Sequence, residues 1–208
     1  MNLTNVTALI NGRIERYDLK ELYHVHRVYE VKRQRIQRLS KFKPKTSKRL
    51  MKKYSRRERN RVKDFMHKLT TEIVRGLRES NSGAIMEGLK GVKYRVLNTS
   101  KMQNRNFSKW DAKTFQFMLE YKLKWLKLPV KYVNLKNSSR TCPPCSGSTA
   151  SYEGRLTKCK KCNLISDRDI VAVLNLQMWG HGFAPKALDE LIKREGLSRG
   201  NESPLIST

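Results

Sequence analysis

The sequence predicts an α/β fold that carries a small cysteine module and a basic helical hairpin. Segments with strand and helix periodicity follow one another as hairpin, helices, strand, helix, strand, cysteine module and helix. All four cysteines lie within residues 142–162, and half of residues 32–63 are lysine or arginine. At 208 residues, the chain is long enough for one ordinary domain and one small module.

A β-hairpin is predicted at about residues 4–18, because β-prone residues flank the dipeptide Asn11-Gly12, which favours a tight hairpin turn. A helix is predicted over residues 19–39, which contain no glycine or proline. Its apolar stripe comprises Leu22, Val25, Val28, Val31 and Ile36.

His24 and His26 lie two positions apart on this helix and therefore point away from each other. A metal-binding pair is not expected. We interpret both as ordinary residues of the surface or the core edge.

The charge balance indicates a polyanionic partner. The chain has 45 Lys and Arg against 18 Asp and Glu, a formal charge of +27. Nucleic acid is the expected partner of such a protein, and a membrane surface is the competing one. No apolar run has the length of a spanning helix and no signal peptide opens the chain, so we predict a cytoplasmic protein.

Residues 32–63 contain 16 basic residues, and Glu58 is the only acid among them. Such a run can be a solvated helix face. Contact with phosphates explains better how the repulsion between its positive charges is tolerated. Pro44 divides the run into a helical hairpin at about residues 19–79. The candidate phosphate-binding residues are Lys32, Arg35, Arg38, Lys48, Arg49, Lys52, Lys53, Arg56 and Arg57.

The second helix, which has an apolar stripe, is predicted to end near Arg78. A short apolar segment bounded by glycines follows at 82–89. That run predicts a buried strand with Glu87 at its C-terminal end, where α/β sheets place their sites. A solvent-facing glutamate is the alternative. Residues 91–106 are polar and basic, which indicates a loop.

Ser108 and Asp111 have the spacing of a capping box before an amphipathic helix that ends ahead of Pro129. A strand is predicted at 130–135. The aromatic residues of this region fit packing better than base stacking, although both are open. They are Trp110, Tyr121 and Trp125.

The cysteines form two C-x-x-C pairs with 13 residues between them. This spacing is typical of a structural zinc site, because each pair presents two thiolates to one tetrahedral ion. Disulfides and redox-active dithiols are the alternatives. The predicted zinc ligands are Cys142, Cys145, Cys159 and Cys162.

Asp167 and Asp169 follow the cysteines directly, where Ser166 could cap a helix from Arg168 to about residue 178. Acids in a first helical turn favour the helix dipole and need no other role. Metal-dependent hydrolysis of nucleic acid instead requires carboxylates that converge from separate elements. Glu87 and Asp169 could supply two of them.

A set of motifs resembles the C-terminal half of the TnpB (OrfB) transposon-associated proteins, relatives of the type V CRISPR effectors. The motifs, in order, are Ile85-Met86-Glu87-Gly88-Leu89, Ser139-Arg140-Thr141-Cys142-Pro143-Pro144-Cys145, Cys159-x-x-Cys162, and Asp167-Arg168-Asp169 with Asn175-Leu176. The resemblance covers about residues 1–180.

The resemblance implies an RNase H-like (RuvC) nuclease fold with an inserted zinc ribbon, which cuts DNA guided by a transposon-derived RNA. It implies that Glu87 is the second catalytic acid and Asp169 the third, with Asp167 as the fallback. The cysteines would hold structural Zn²⁺, and catalysis would use Mg²⁺ or Mn²⁺.

Two departures from the family pattern bear on activity. Val171-Ala172-Val173 replaces the usual Asn-Ala-Ala, and residues 1–4 correspond to the turn after the strand that carries the first acid. The chain is therefore expected to be a C-terminal fragment without the first strand and first acid, which binds zinc, DNA and RNA but does not cut alone. A non-catalytic zinc-ribbon regulator is the alternative.

The expected organisation has four parts. A nuclease-like part covers 1–137, the zinc ribbon 138–165, a nuclease-like helix 166–183 and a partly disordered tail 184–208.

Overall fold

A computed structural model of the chain describes residues 1–89, 104, 110–134 and 138–181. The predicted loop at 91–106, apart from Asn104, and the predicted tail at 184–208 lie outside the described residues. Contacts divide the chain into two units. The first comprises 1–6, 16–78 and 89–126, and the second comprises 7–15, 79–88 and 127–208.

The predicted β-hairpin is confirmed as β1 (Asn5–Ile10) and β2 (Arg13–Asp18). Asn11 and Gly12 join the strands with φ of 50° and 71°. Two consecutive positive φ values are characteristic of a type I′ turn, which explains the dipeptide at this position.

The predicted helical hairpin is confirmed as α1 (Lys20–Leu39) and α2 (Pro44–Glu79). Pro44 opens α2, a position where its missing N–H costs no hydrogen bond. The buried stripe of α1 differs from the predicted one, because His26 and Tyr29 are buried while Val31 is exposed.

Strand β3 (Ala84–Glu87) pairs in parallel with β4 (Val130–Val133). In this register Glu87 lies opposite Val133. The two strands approach closely at Gly83, where a Cβ atom would lie 2.3 Å from the carbonyl oxygen of Pro129. The predicted strands are therefore present and adjacent.

Helix α3 (Ala112–Trp125) ends before Pro129, as predicted. The predicted capping box is wrong, because Asp111 is the N-cap residue rather than the third residue of the helix, and its side chain makes no capping hydrogen bond. Ser108 lies outside the described residues. The carboxylate of Asp111 contacts His26 instead, at 2.8 Å.

The cysteine module contains the antiparallel strands β5 (Thr149–Ser151), β6 (Leu156–Cys159) and β7 (Ile165–Asp167). Helix α4 (Arg168–His181) follows directly and contacts β3 and β4. The contact is tight at Gly180, where a Cβ atom would lie 2.6 Å from Ile85. Every helix among the described residues is too short or too polar to span a lipid bilayer.

Candidate metal centre and nucleic-acid surface

The four cysteine sulfurs converge, as their spacing predicts. All four lie within 4.8 Å of one another, and the pairs Cys142–Cys162 and Cys145–Cys159 are 3.5 Å apart. Four sulfurs at about 2.3 Å from a central tetrahedral ion would lie about 3.8 Å apart. The donor set and its spacing therefore fit a zinc ion.

The backbone turns around each cysteine pair to position these sulfurs. Ser146 and Asn163, which follow the second cysteine of each pair, adopt φ of 54° and 57°. At Gly147 a Cβ atom would lie 3.2 Å from the sulfurs of both Cys145 and Cys159. Any side chain at this position would press on the ligands.

The sulfurs differ in their electrostatic surroundings. Burial raises the pKa of Cys142. Burial also opposes ionisation of Cys159, but N–H groups of Cys162 and Lys161 and the neighbouring thiols outweigh it and lower the pKa of Cys159 to about 7. The Lys161 N–H donates to this sulfur at 3.3 Å. N–H groups directed at sulfur favour the thiolate form that binds metal.

The cluster also has a small apolar core. Cys142, Cys159, Leu164, Ile170 and Leu174 are buried together, and Leu9 and Ile14 of the β-hairpin pack against them.

Asn175 fastens α4 to the chain that enters the module. It is buried and donates from Nδ2 to the carbonyls of Ser138 at 2.6 Å and Thr141 at 2.7 Å.

The three candidate carboxylates have different surroundings. Glu87 is exposed at the end of β3. Asp167 caps α4, because its Oδ1 accepts from the N–H of Asp169 at 2.7 Å, whereas Ser166 was predicted to cap this helix. Among the described residues, only the cysteines form a cluster of three or more potential metal ligands within 4.8 Å.

The carboxylate of Asp169 is paired with an arginine of the cysteine module. Arg155, in the turn before β6, donates to its carboxylate, and the Arg168 N–H donates to the Arg155 carbonyl at 3.1 Å. The side chain of Asp169 is 23% exposed. The cysteine module therefore also orients a candidate catalytic carboxylate.

The basic run forms an exposed cationic surface. All nine candidate phosphate-binding side chains on α1 and α2 are exposed. Glu58, the only acid of the run, is buried, and Arg33 pairs with it. The surface of this hairpin is consequently cationic without local neutralisation by an acid of the run.

Aromatic rings lie among these cations. Lys32 lies over the rings of Tyr29 and Tyr54, at 5.1 and 5.5 Å, and Arg57 lies 5.7 Å from the Tyr54 ring.

A buried polar network was missed by sequence reasoning. His26 lies 3.0 Å from Glu58 through Nδ1 and 2.8 Å from Asp111 through Nε2. Carboxylates only accept, so the ring satisfies both contacts when both nitrogens carry protons. The network joins α1, α2 and the start of α3, and its partners lie 32 and 85 residues from His26. The interpretation of His26 as an ordinary residue was wrong, whereas His24 is exposed as expected.

The comparison with family models finds two matches. Residues 1–93 match a family described as "Probable transposase" (OrfB_IS605), and residues 113–176 match the "Cas12f1-like, TNB domain". The second match contains the four cysteines and Asp169.

The chain is also similar in sequence to two TnpB-like proteins. The chain is 38% identical over 161 residues to TnpB-like protein MJ0751 of Methanocaldococcus jannaschii, covering 77% of this chain and 58% of that protein. It is 35% identical over 138 residues to TnpB-like protein MJ0012 of the same organism, covering 66% of this chain and 62% of that protein. The chain thus spans about three fifths of these relatives.

The fold resembles that of Cas12f. A Cas12f1–sgRNA–target DNA complex matches with a TM-score of 0.58 and 21% identity, covering 83% of this chain and 49% of that one. A CRISPR-Cas12f ternary complex matches with a TM-score of 0.63 and 20% identity, covering 84% and 36%. The chain is therefore an α/β protein with a Cas12f-like fold and a four-cysteine module. The chain belongs to the TnpB-like family of transposase-associated proteins.

Proposed function

We propose that this chain is a nucleic-acid-binding, zinc-containing part of an RNA-guided, metal-dependent DNA endonuclease of the TnpB type. The sheet of β3 and β4 would belong to the RNase H-like (RuvC) part of that enzyme, and the cysteine module would be its zinc ribbon. Nine exposed cations on one helical hairpin, with the only acid of the run buried, are the observation that carries the proposal. DNA and a guide RNA are the partners it implies.

The cationic hairpin would bind the phosphate backbone. Glu58 is buried with His26 and Arg33, so it cannot extend to the surface to neutralise neighbouring cations. Backbone contacts of this kind carry affinity without reading sequence. The hairpin therefore accounts for general binding to DNA and RNA rather than for target choice.

Charge-matched variants test this assignment. Lys48→Gln/Lys52→Gln/Arg56→Gln removes three exposed cations at helical spacing on α2. Arg13→Gln/Arg75→Gln/Lys160→Gln removes three exposed cations that are dispersed over β2, the C-terminal end of α2 and the cysteine module. We expect the first variant to bind duplexes of two unrelated sequences equally poorly and the second to bind almost normally. Equal losses in both variants would reject the hairpin as the binding surface.

Zinc would be a structural ion in this protein. Four thiolates leave no open coordination position, so the ion would stabilise the module and not bind substrate. The geometry of the sulfurs and the N–H groups directed at Cys159 support zinc over the disulfide alternative. Elemental analysis should find one zinc ion per chain.

Glu87 and Asp169 would be ligands of the catalytic divalent cation. Both belong to the second unit, and each lies at an end of its element. Mg²⁺ commonly binds one or two carboxylates, while substrate phosphates and water complete its shell. When bound, such ions activate the attacking water and stabilise the leaving oxygen.

A non-catalytic zinc-ribbon regulator is the second candidate. It is favoured by the structural roles of the aspartates, because Asp167 caps α4 and Asp169 pairs with Arg155. Mn²⁺ binding to the DNA-bound chain separates the two functions. The nuclease assignment predicts that Glu87→Gln and Asp169→Asn each weaken Mn²⁺ binding while DNA affinity is kept. The regulator predicts no effect of either variant.

A further inference from the structure

Helix α3 carries a row of aromatic side chains on its exposed face. Phe117, Tyr121 and Trp125 are 67%, 38% and 86% exposed. Their spacing of four residues places them on one face, about 6 Å apart along the helix axis. Packing was the interpretation favoured from sequence for Tyr121 and Trp125, and the exposure of Trp125 rules it out for that residue.

The row is held in place by a neighbouring helix. The hydroxyl of Tyr121 forms a hydrogen bond with His67 Nδ1 at 3.2 Å, and the ring centroids of Phe117 and Tyr121 lie 5.8 Å apart. Lys122 donates to the His67 carbonyl at 2.7 Å and to Thr70 Oγ1 at 2.8 Å. The middle of the row is therefore anchored on α2 while both ends project from the protein.

The surroundings of the row are cationic. Lys113 lies one turn before Phe117 and Lys124 directly precedes Trp125, and both lysines are exposed. Glu120, the only acid on α3, pairs with Lys124 at 2.6 Å. Partial burial, Lys122 and Lys63 lower the pKa of His67, which keeps the ring beside Tyr121 neutral at neutral pH.

We propose that Phe117, Tyr121 and Trp125 form a stacking surface for single-stranded nucleic acid. Aromatic rings bind unpaired bases through their faces, and nearby lysines bind the phosphates. The rings are about 6 Å apart, whereas a strand in a duplex repeats every 3.4 Å or so. Each ring can therefore take one base only from a strand whose bases are spread apart.

A second copy of this chain is a less suitable occupant. Two such faces would bring together like charges from the flanking lysines, and each chain carries +27 overall. A polyanion meets both the aromatic and the cationic part of the surface. This site is separate from the hairpin cations proposed above and does not depend on them.

Fluorescence anisotropy of labelled oligothymidylate and of a duplex of equal length tests the proposal. Phe117→Ala/Trp125→Ala leaves Tyr121 and its bond to His67 in place, so the fold should persist. We expect it to weaken binding of the single strand about tenfold or more and duplex binding much less. Trp125→Phe should retain most of the affinity, since a ring remains, but should lose most of the tryptophan quenching caused by the oligonucleotide.

Two controls keep the result interpretable. Tyr132→Ala removes an exposed aromatic residue of β4 and should leave single-strand binding unchanged. The Lys48/Lys52/Arg56 variant should lose duplex binding even if the stacking proposal is wrong, so the two proposals can fail separately.

Three outcomes would overturn the proposal. Equal single-strand affinity in the wild type and Phe117→Ala/Trp125→Ala would exclude stacking at this surface. If affinity is unchanged and the variant instead abolishes a dimer seen by light scattering, the face binds a second copy. If affinity is unchanged and the variant lowers the free energy of unfolding, the face is covered by another segment of the chain.

Discussion

The cysteine module and the helical hairpin achieve order in different ways. The module has four ligand atoms within 21 residues and a small core, and its strands have three to four residues each. The hairpin has helices of 20 and 36 residues with continuous buried stripes. We infer that a metal ion held by the cysteines stabilises the module, whereas the packing of buried side chains stabilises the helical hairpin.

The hairpin nevertheless contains its own polar centre. His26 links Glu58 of α2 to Asp111 at the start of α3 through its two ring nitrogens. Buried charged groups stabilise only when each one is paired. Both regions therefore rely on a few polar atoms. In the module these atoms come from residues close together in sequence, whereas in the hairpin they come from distant residues.

The largest effect is expected from removing the module's ligands. Cys142→Ser/Cys145→Ser should abolish zinc binding and unfold β5, β6 and β7, because structural zinc contributes about 10–16 kcal/mol to folding of small modules. Hydrogen exchange should show loss of protection there and retention in α1 and α2. Lys160→Ala, an exposed site in the module, is the control. A fully protected, zinc-free module would contradict this account.

The next largest effect is expected at the hairpin's polar centre. His26→Ala leaves Glu58 and Asp111 without their shared hydrogen-bond partner, and removing one partner of a buried polar group costs about 1–3 kcal/mol. Urea unfolding should report this loss. His24→Ala, two residues away and exposed, should change stability by less than about 0.5 kcal/mol. Similar losses in both variants would show that the network is not special.

Glycine-to-alanine changes should have opposite signs in the two regions. Gly147→Ala brings a methyl group against the cysteine sulfurs and should destabilise the module by about 1–3 kcal/mol. Gly76→Ala meets nothing within 4 Å and lies inside α2, so it should stabilise the hairpin by about 0.5–1 kcal/mol. Thermal unfolding of both variants checks the signs, and a stabilising Gly147→Ala would be inconsistent with the crowding.

The smallest effect is expected in the pH dependence of the stability of the helical hairpin. The pKa of His67 lies below its ordinary value of 6.5, owing to partial burial and to Lys122 and Lys63. The unfolded chain therefore takes up the proton first, and stability present above pH 6.5 should be lost as the pH falls through the lower, folded pKa. His67→Gln should remove this slope in urea unfolding at several pH values. A slope that survives the substitution belongs to other groups.

Much of the molecule could be predicted from local patterns. The type I′ turn at Asn11-Gly12, the helix break at Pro44 and the sulfur cluster all follow from residues close together in sequence. Each depends on backbone preference or ligand spacing, which a single segment determines.

The errors concern contacts between distant segments. His26 pairs with residues 32 and 85 positions away, and Asp111 leaves its capping role for that contact. Arg155 reaches Asp169 only because β6 and β7 pair. No periodicity or spacing encodes such partners. Trp125 was misjudged for a related reason, since only the packing of α3 decides which of its faces is covered.

The most direct test of the nucleic-acid assignment is the salt dependence of duplex binding. Each phosphate contact contributes about 0.9 to the slope of log affinity against log salt. Lys48→Gln/Lys52→Gln/Arg56→Gln should therefore reduce the steepness of this slope by about 2–3 relative to the wild type. The dispersed variant Arg13→Gln/Arg75→Gln/Lys160→Gln should reduce it by less than about 1. An unchanged slope in the hairpin variant would contradict the claim that this hairpin binds the phosphate backbone.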